Sequence, residues 1–156
     1  MVCLGNICRS PLAEGILQEK VRQAGLTWIV DSAGTNGFHT GEAPHHLSQK
    51  VAKLNGIDIS KQVSRKFVEA DLEQYDKIYV MATDVLQEMS NILGGKTPGN
   101  KAELFLNSIY PGQNMDVADP WYGTEEGYHD AYSIIEKACD AIIQQHLVAE
   151  SKTAKV

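Results

Sequence analysis

Cysteine is scarce in this chain, basic residues are outnumbered and long apolar runs are missing, and each shortage removes a class of protein. Three cysteines in 156 residues is an odd count, and two of them, Cys3 and Cys8, stand close together. A secreted disulfide framework is therefore excluded, and a reduced, cytoplasmic setting is expected. No stretch reaches the roughly 20 apolar residues of a membrane-crossing helix, and the first residues lack the charged-then-apolar pattern of a signal peptide. No membrane association is expected. Lys and Arg total 14 against 20 Asp and Glu, giving a net charge of −6 with no basic run, which argues against a nucleic-acid partner. A phosphate-bearing ligand would have to be captured by a local positive site, not by the field of the whole molecule.

What remains is ordinary for a globular domain: 43% apolar and 22% charged residues, with no repeat and no linker. One domain over residues 1–148 is expected. Residues 149–156, polar and without periodicity, read as a flexible C-terminal tail.

Periodicity alternates along the chain. Ser10 to Ala24 reads as a helix with Leu12, Ala13, Ile16, Leu17 and Val21 on one face, Ser10 as its cap, Pro11 in its first turn and Gly25 at its end. Thr27 to Val30 is a short β-type run, and His46 to Leu54 is helical again. Lys77 to Met81 reads as a buried strand, leading to a helix capped by Thr83-Asp84 and stopped at Gly94-Gly95. Leu104 to Leu106 is a further strand candidate and Pro111 to Gly123 a loop. Thr124 then caps a long helix whose apolar face carries Tyr128, Tyr132, Ile135, Cys139 and Ile142 or Ile143. Such alternation predicts a parallel α/β sheet covered on both faces, with ligands at the carboxyl ends of its strands.

The first loop-to-helix junction carries the chemistry. Residues 3 to 10 read C-L-G-N-I-C-R-S, directly before the first helix. A thiolate attacks phosphorus without a separate base, and a helix N-terminus beside an arginine favours that ionised form. The backbone N–H groups of Leu4, Gly5, Asn6, Ile7 and Cys8 can turn inward around phosphate oxygens, with Gly5 and Asn6 tolerating the left-handed backbone such a nest requires. Arg9 supplies a planar fork for two phosphate oxygens. Ser10 can donate to the thiolate.

This segment, extended to Pro11, resembles the C-x-G-N-x-C-R-S-P signature of the low-molecular-weight protein tyrosine phosphatases at every fixed position. The likeness extends to the length, the order of elements and a D-P-W-Y segment at 119–122. It implies a three-layer sandwich with a central four-stranded parallel sheet and helices on both faces. It also implies hydrolysis of phosphotyrosine through a phosphocysteine intermediate, with Cys3 as nucleophile and Arg9 as phosphate ligand. Asp119 resembles the family's general acid, able to protonate the leaving phenol and later to activate water; Asp116 is a second candidate. Trp121 and Tyr122 then line the pocket wall, Phe38 resembles the aromatic of the opposite rim, and Ser32 the serine that bonds the loop asparagine. Cys8 lies close enough in sequence to trap an oxidised Cys3 as a disulfide; Cys139 reads as core. The implied substrate is a tyrosine-phosphorylated protein or small aryl phosphate and the product inorganic phosphate, released by a monomer. His45 and His46 would point to different faces of a helix, without further ligands at metal spacing, so no metal and no organic cofactor is expected.

Three features depart from the family pattern. Only Met1 and Val2 precede Cys3, where family members have several apolar residues, which implies a central strand cut short at its start. Gln62 stands where the family often has histidine, and the rim around His45, His46 and Ser48 differs. Two rival activities use the same kind of loop. Arsenate reduction needs a cysteine relay for which Cys139 in a helix is poorly suited, and the protein-arginine phosphatases tend to carry threonine where this chain has Ile7.

Overall fold

The computed structural model describes residues 1–153. Its sheet has four parallel strands in the order β2-β1-β3-β4: β1 (Val2–Cys3), β2 (Ala33–Gly34), β3 (Ile78–Val80) and β4 (Ala102–Leu104). Five α-helices surround it: α1 (Arg9–Gln23), α2 (His46–Leu54), α3 (Asp71–Gln74), α4 (Thr83–Ile92) and α5 (Glu125–Thr153). The chain leaves β1 for β2 on one side and returns to β3 on the other. The crevice where strand order reverses therefore lies at the carboxyl end of β1, immediately after Cys3.

Two apolar layers hold the sheet. On one face α1, α2 and α5 close over Cys3, Leu12, Ile16, Phe105, Tyr128 and Ile135; on the other, α4 and Phe67 close over Val2, Val80, Val85 and Met89. Val2 and Cys3 fall into opposite layers, as successive strand residues must. The face foreseen on the last helix is buried as expected, with Ile135 and Cys139 fully so.

The structure corrects several element boundaries. Residue 10 does not cap α1: Cys8 is at the N-cap, without a side-chain cap bond, and the Ser10 hydroxyl is turned to Cys3 instead. Thr27 to Val30 is not a strand, because the pairing partner of β1 comes later, at Ala33–Gly34, where small residues let the backbones approach. The strand expected at 104–106 is Ala102–Leu104, and Phe105–Ser108 forms a 3-10 turn under α5. Thr83 is the first residue of α4 rather than its cap; its N–H is taken at 2.8 Å by Asp116. Finally, α5 runs on through residues 149–153, expected as tail, because nothing from Ala149 to Thr153 breaks a helix. Residues 154–156 of that expected tail lie outside the described residues. No helix among the described residues is long and apolar enough to cross a membrane.

The two ends of the sheet differ. At the carboxyl end, a cleft of about 240 Å³ opens over Cys3. At the amino end, a larger cavity of about 790 Å³ lies between residues 27–33 and 76–79. The smaller cleft is the one lined by Cys3, Arg9 and Asp119.

Candidate active site

Cys3 ends β1 at the bottom of the smaller cleft, 2% exposed. Its sulfur lies 3.0 Å from Ser10 Oγ and accepts the Asn6 backbone N–H at 3.2 Å. Between them the chain loops through Leu4, Gly5, Asn6, Ile7 and Cys8 before α1 begins. Only Asn6 takes the left-handed conformation, with φ 56°; Gly5, expected to share it, does not. A Cβ on Gly5 would approach the His39 ring at 3.1 Å, so its small size has a packing reason instead. Among the described residues, the N–H groups of Gly5, Ile7 and Cys8 donate to no other protein group. They are available, together with the first turn of α1, to an anion in the cleft.

The loop is pressed against β2. Thr35 N–H and Asn36 N–H donate to the carbonyls of Cys3 and Leu4 at 3.0 and 2.9 Å. Gly34 makes this approach possible: a Cβ there would sit 2.8 Å from the Leu4 carbonyl oxygen and 2.9 Å from Asn6 N. Asn6 is fixed by its side chain as well. Its Oδ1 accepts the Arg65 N–H at 3.0 Å, while Nδ2 donates to Ser10 Oγ at 2.8 Å and to Ser32 Oγ at 2.9 Å.

Arg9, 4% exposed, spans the floor. Nη1 donates to the Val117 carbonyl at 2.9 Å and Nη2 to Asp119 Oδ2 at 3.3 Å. Asp119 is thus brought over the loop from a distant part of the chain. Its Oδ1 caps a 3-10 turn, Pro120–Tyr122, by accepting the Trp121 N–H at 3.1 Å. Asp116 does different work, since both its oxygens hold Thr83 at the start of α4.

Phe38, Trp121 and Tyr122 all line the cleft. Phe38 and Tyr122 are both 85% exposed, so they form a rim and Trp121 the wall. Cys8 also lines the cleft, its sulfur 3.6 Å from the Tyr128 hydroxyl, and burial pushes its thiol up to about 12.

His39 and Arg65 escaped the sequence reading, and His45, read there only as a departure at the rim and as an excluded metal ligand, also stands at the site. His39 stands in the cleft wall, with Nδ1 2.8 Å from Glu42 Oε2. His45 packs between Trp121 and Tyr128, with burial and then the neighbouring His46 and His39 lowering its pKa. The rings of His45 and His46 stack at 4.4 Å rather than diverging, because His45 precedes α2 and is free of helical spacing. Arg65 joins Asp31 and Asp71 while its N–H holds Asn6. A lone histidine or arginine in a loop carries no periodic signal; the glycine at 34, after a serine and an alanine, was the one available clue.

A strand-to-helix loop with a buried cysteine and arginine, at the switch point of a parallel sheet, defines an α/β protein whose loop amides and guanidinium line one cleft. Residues 1–153 match the family described as low molecular weight phosphotyrosine protein phosphatase, and the chain belongs to that family. It is 38% identical over 136 residues to the enzyme of that name from Schizosaccharomyces pombe, covering 84% of this chain and 85% of the relative. Among solved structures it is similar to a protein tyrosine phosphatase from Entamoeba histolytica, with a TM-score of 0.85, 32% identity and 96% of each chain covered. It is also similar to a Drosophila arginine phosphatase, with a TM-score of 0.84, 30% identity and coverage of 93% and 94%.

Proposed function

We propose that this chain hydrolyses phosphotyrosine with Cys3 as nucleophile, Arg9 as phosphate ligand and Asp119 as acid and base. The observation that carries the reading is the convergence of Cys3, Arg9 and Asp119 on one cleft from the two ends of the sequence. The Cys3 thiolate attacks phosphorus in line with the bridging oxygen. The S–P bond forms as the P–O bond breaks, and Asp119 gives its proton to the departing phenolate. Arg9 and the N–H groups of the phosphate-binding loop take up the charge on the equatorial oxygens. Asp119, now a carboxylate, removes a proton from water attacking the phosphocysteine. Inorganic phosphate leaves, and the Ser10 hydroxyl stabilises the released thiolate.

The aromatic lining of the cleft supports an aryl phosphate. Trp121, Phe38 and Tyr122 line the cleft over the buried Cys3, which suits a phenyl ring between the phosphate and the solvent better than the short side chain of phosphoserine. Ile7, buried beside the thiol, sits where arginine phosphatases tend to carry threonine, which favours phosphotyrosine over phosphoarginine. A single domain that includes the whole of α5 forms the catalytic unit, working as a monomer in the reducing cytoplasm, in keeping with three free cysteines. Cys8 serves to trap an oxidised Cys3.

Steady-state hydrolysis of a phosphotyrosine peptide at mildly acidic pH, wild type beside Cys3→Ser, tests the reading. Turnover that disappears in the mutant is expected. Absence of turnover from well-folded wild type would overturn it and direct assays to phosphoarginine.

A further inference from the structure

One imidazole stands where four parts of the site meet. His45 N–H donates to the Ile7 carbonyl of the phosphate-binding loop at 2.8 Å, and its Nδ1 accepts the Leu47 N–H at 3.2 Å as the cap of α2. Its ring lies flat on that of Tyr128 in α5, with centroids 5.1 Å apart and 18° between the planes. It meets Trp121, in the turn after Asp119, edge-on at 5.4 Å and 74°. The geometry points to His45 as the positioning residue that holds Trp121 in place as the wall for the aryl ring of the substrate.

Each contact removes one freedom of the imidazole. The bond to Ile7 fixes where residue 45 stands relative to the loop, and the cap bond fixes the rotation of the ring. An accepting Nδ1 carries no proton, so the ring is the neutral tautomer protonated on Nε2. Burial, and then the neighbouring His46 and His39, lower its pKa and favour that form. Tyr128, 1% exposed, is a fixed plate behind it. In the first turn of α2, Ser48 Oγ donates to the Cys8 carbonyl at 3.2 Å, which ties the segment bearing His45 to the loop a second time.

Trp121 needs such a support. It is 47% exposed in a 3-10 turn of three residues, and Asp119 Oδ1 holds its backbone N–H but not its indole. Among the described residues, the rings against the indole are those of His45 and His39, the latter at 5.6 Å. The His39 side chain is held by Glu42 in an exposed turn, whereas His45 is anchored to the loop and to α2, so His45 is the firmer of the two. Its backbone reads the position of the phosphate loop and its ring sets the position of the wall. His45 lies behind Trp121, outside the lining of the cleft, and touches no reacting atom.

This assignment deepens the reading of the cleft as an aryl phosphate site and rests on it; the test separates the two. His45→Asn keeps a capping side chain without an aromatic ring, and His45→Phe keeps a ring without the cap. In His45→Asn, KM for a phosphotyrosine peptide should rise about fivefold, with kcat and the Ki of inorganic phosphate within about twofold, because phosphate alone never meets the wall. His45→Phe should melt at a lower temperature and keep a KM near that of the wild type. A role confined to capping α2 gives the reverse pattern. The activity-independent arm uses Trp28→Phe, at the far cavity, which leaves Trp121 as the sole tryptophan. In that background His45→Asn should shift Trp121 emission to the red and raise its quenching by acrylamide, and His45→Phe should do neither. Should His45→Phe not fold, His45→Ser, a second cap without a ring, should reproduce the effects of His45→Asn. Trp121 emission unaltered by His45→Asn, or a phosphate Ki that rises in step with KM, would overturn the proposal. A wild type without turnover would overturn the phosphatase reading, and the fluorescence comparison would still decide the role of His45.

Discussion

Arg9 and Asp119 meet at 3.3 Å although 110 residues separate them in sequence, and the arginine is the more deeply buried partner. The guanidinium is also anchored to the Val117 carbonyl, two residues before that aspartate. In the proposed mechanism phosphate capture and proton delivery are therefore mechanically joined, because the guanidinium assigned to the phosphate also holds the loop bearing Asp119.

Arg9→Lys retains charge but not the fork, and one ammonium cannot hold Val117, Asp119 and two phosphate oxygens at once. We expect kcat/KM to fall by about 10²–10³-fold, with circular dichroism unchanged. Steady-state kinetics on a phosphotyrosine peptide measures this.

Asp119→Asn keeps the shape and the cap on Trp121 but removes the proton. A fall in kcat of about 10²–10⁴-fold is expected for substrates with poor leaving groups. The loss should shrink along a series of aryl phosphates with increasingly acidic phenols.

At residue 6 the backbone and the side chain can be separated. Asn6→Ala and Asn6→Gly both lose the bonds to Ser10, Ser32 and Arg65, but only alanine also resists φ 56°. Urea unfolding should find the glycine variant more stable than the alanine variant by about 1 kcal/mol, and both impaired in turnover.

Gly34→Ala would drive a methyl group into the Leu4 carbonyl at 2.8 Å, against backbone that cannot swing aside. A loss of roughly 1–3 kcal/mol is expected, along with reduced activity, since the displaced segment is the loop itself.

The Glu14 carboxyl is raised by burial above its unfolded value. A raised group contributes stability that is fully present below the unfolded pKa, about 4.3 for glutamate, and is lost as pH rises through the folded value. Met1, Asp31 and Arg65 are the charged groups facing it, with the Ser32 hydroxyl on the remaining side. Thermal melts should find Glu14→Gln more stable than wild type at neutral pH, with the difference closing near pH 4.

Much of this could be read from residues 3 to 11 alone, because a nucleophile, a fork and a flexible pair at fixed spacing before a helix have few other uses. The long amphipathic helix and the strand at 78–80 were legible from periodicity and burial. The two-residue strand β2 was not, since no pattern of period two can establish itself in Ala33–Gly34. Long-range contacts were equally silent: nothing near Arg65 announces that its N–H holds Asn6, and nothing in Gly34 names the carbonyl it lets in. The serine at position 10 looked like a helix cap because capping and thiolate bonding call for the same hydroxyl.

The unequal ends of the sheet have a consequence for how the molecule breathes. At the carboxyl end, backbone bonds from Thr35 and Asn36 and the Asn6 side chain clamp the loop; at the other end, a cavity of about 790 Å³ lies beside residues 27–31, which form no strand. Sub-global opening takes the route with fewest bonds to break, so fluctuations begin around residues 27–31 and reach the loop last. Deuterium should enter that segment well before the amides of Thr35, Asn36 and Arg65, which are bonded to the loop. The candidate site lies at the better-bonded end of the sheet, so softness at the other end need not reach Cys3.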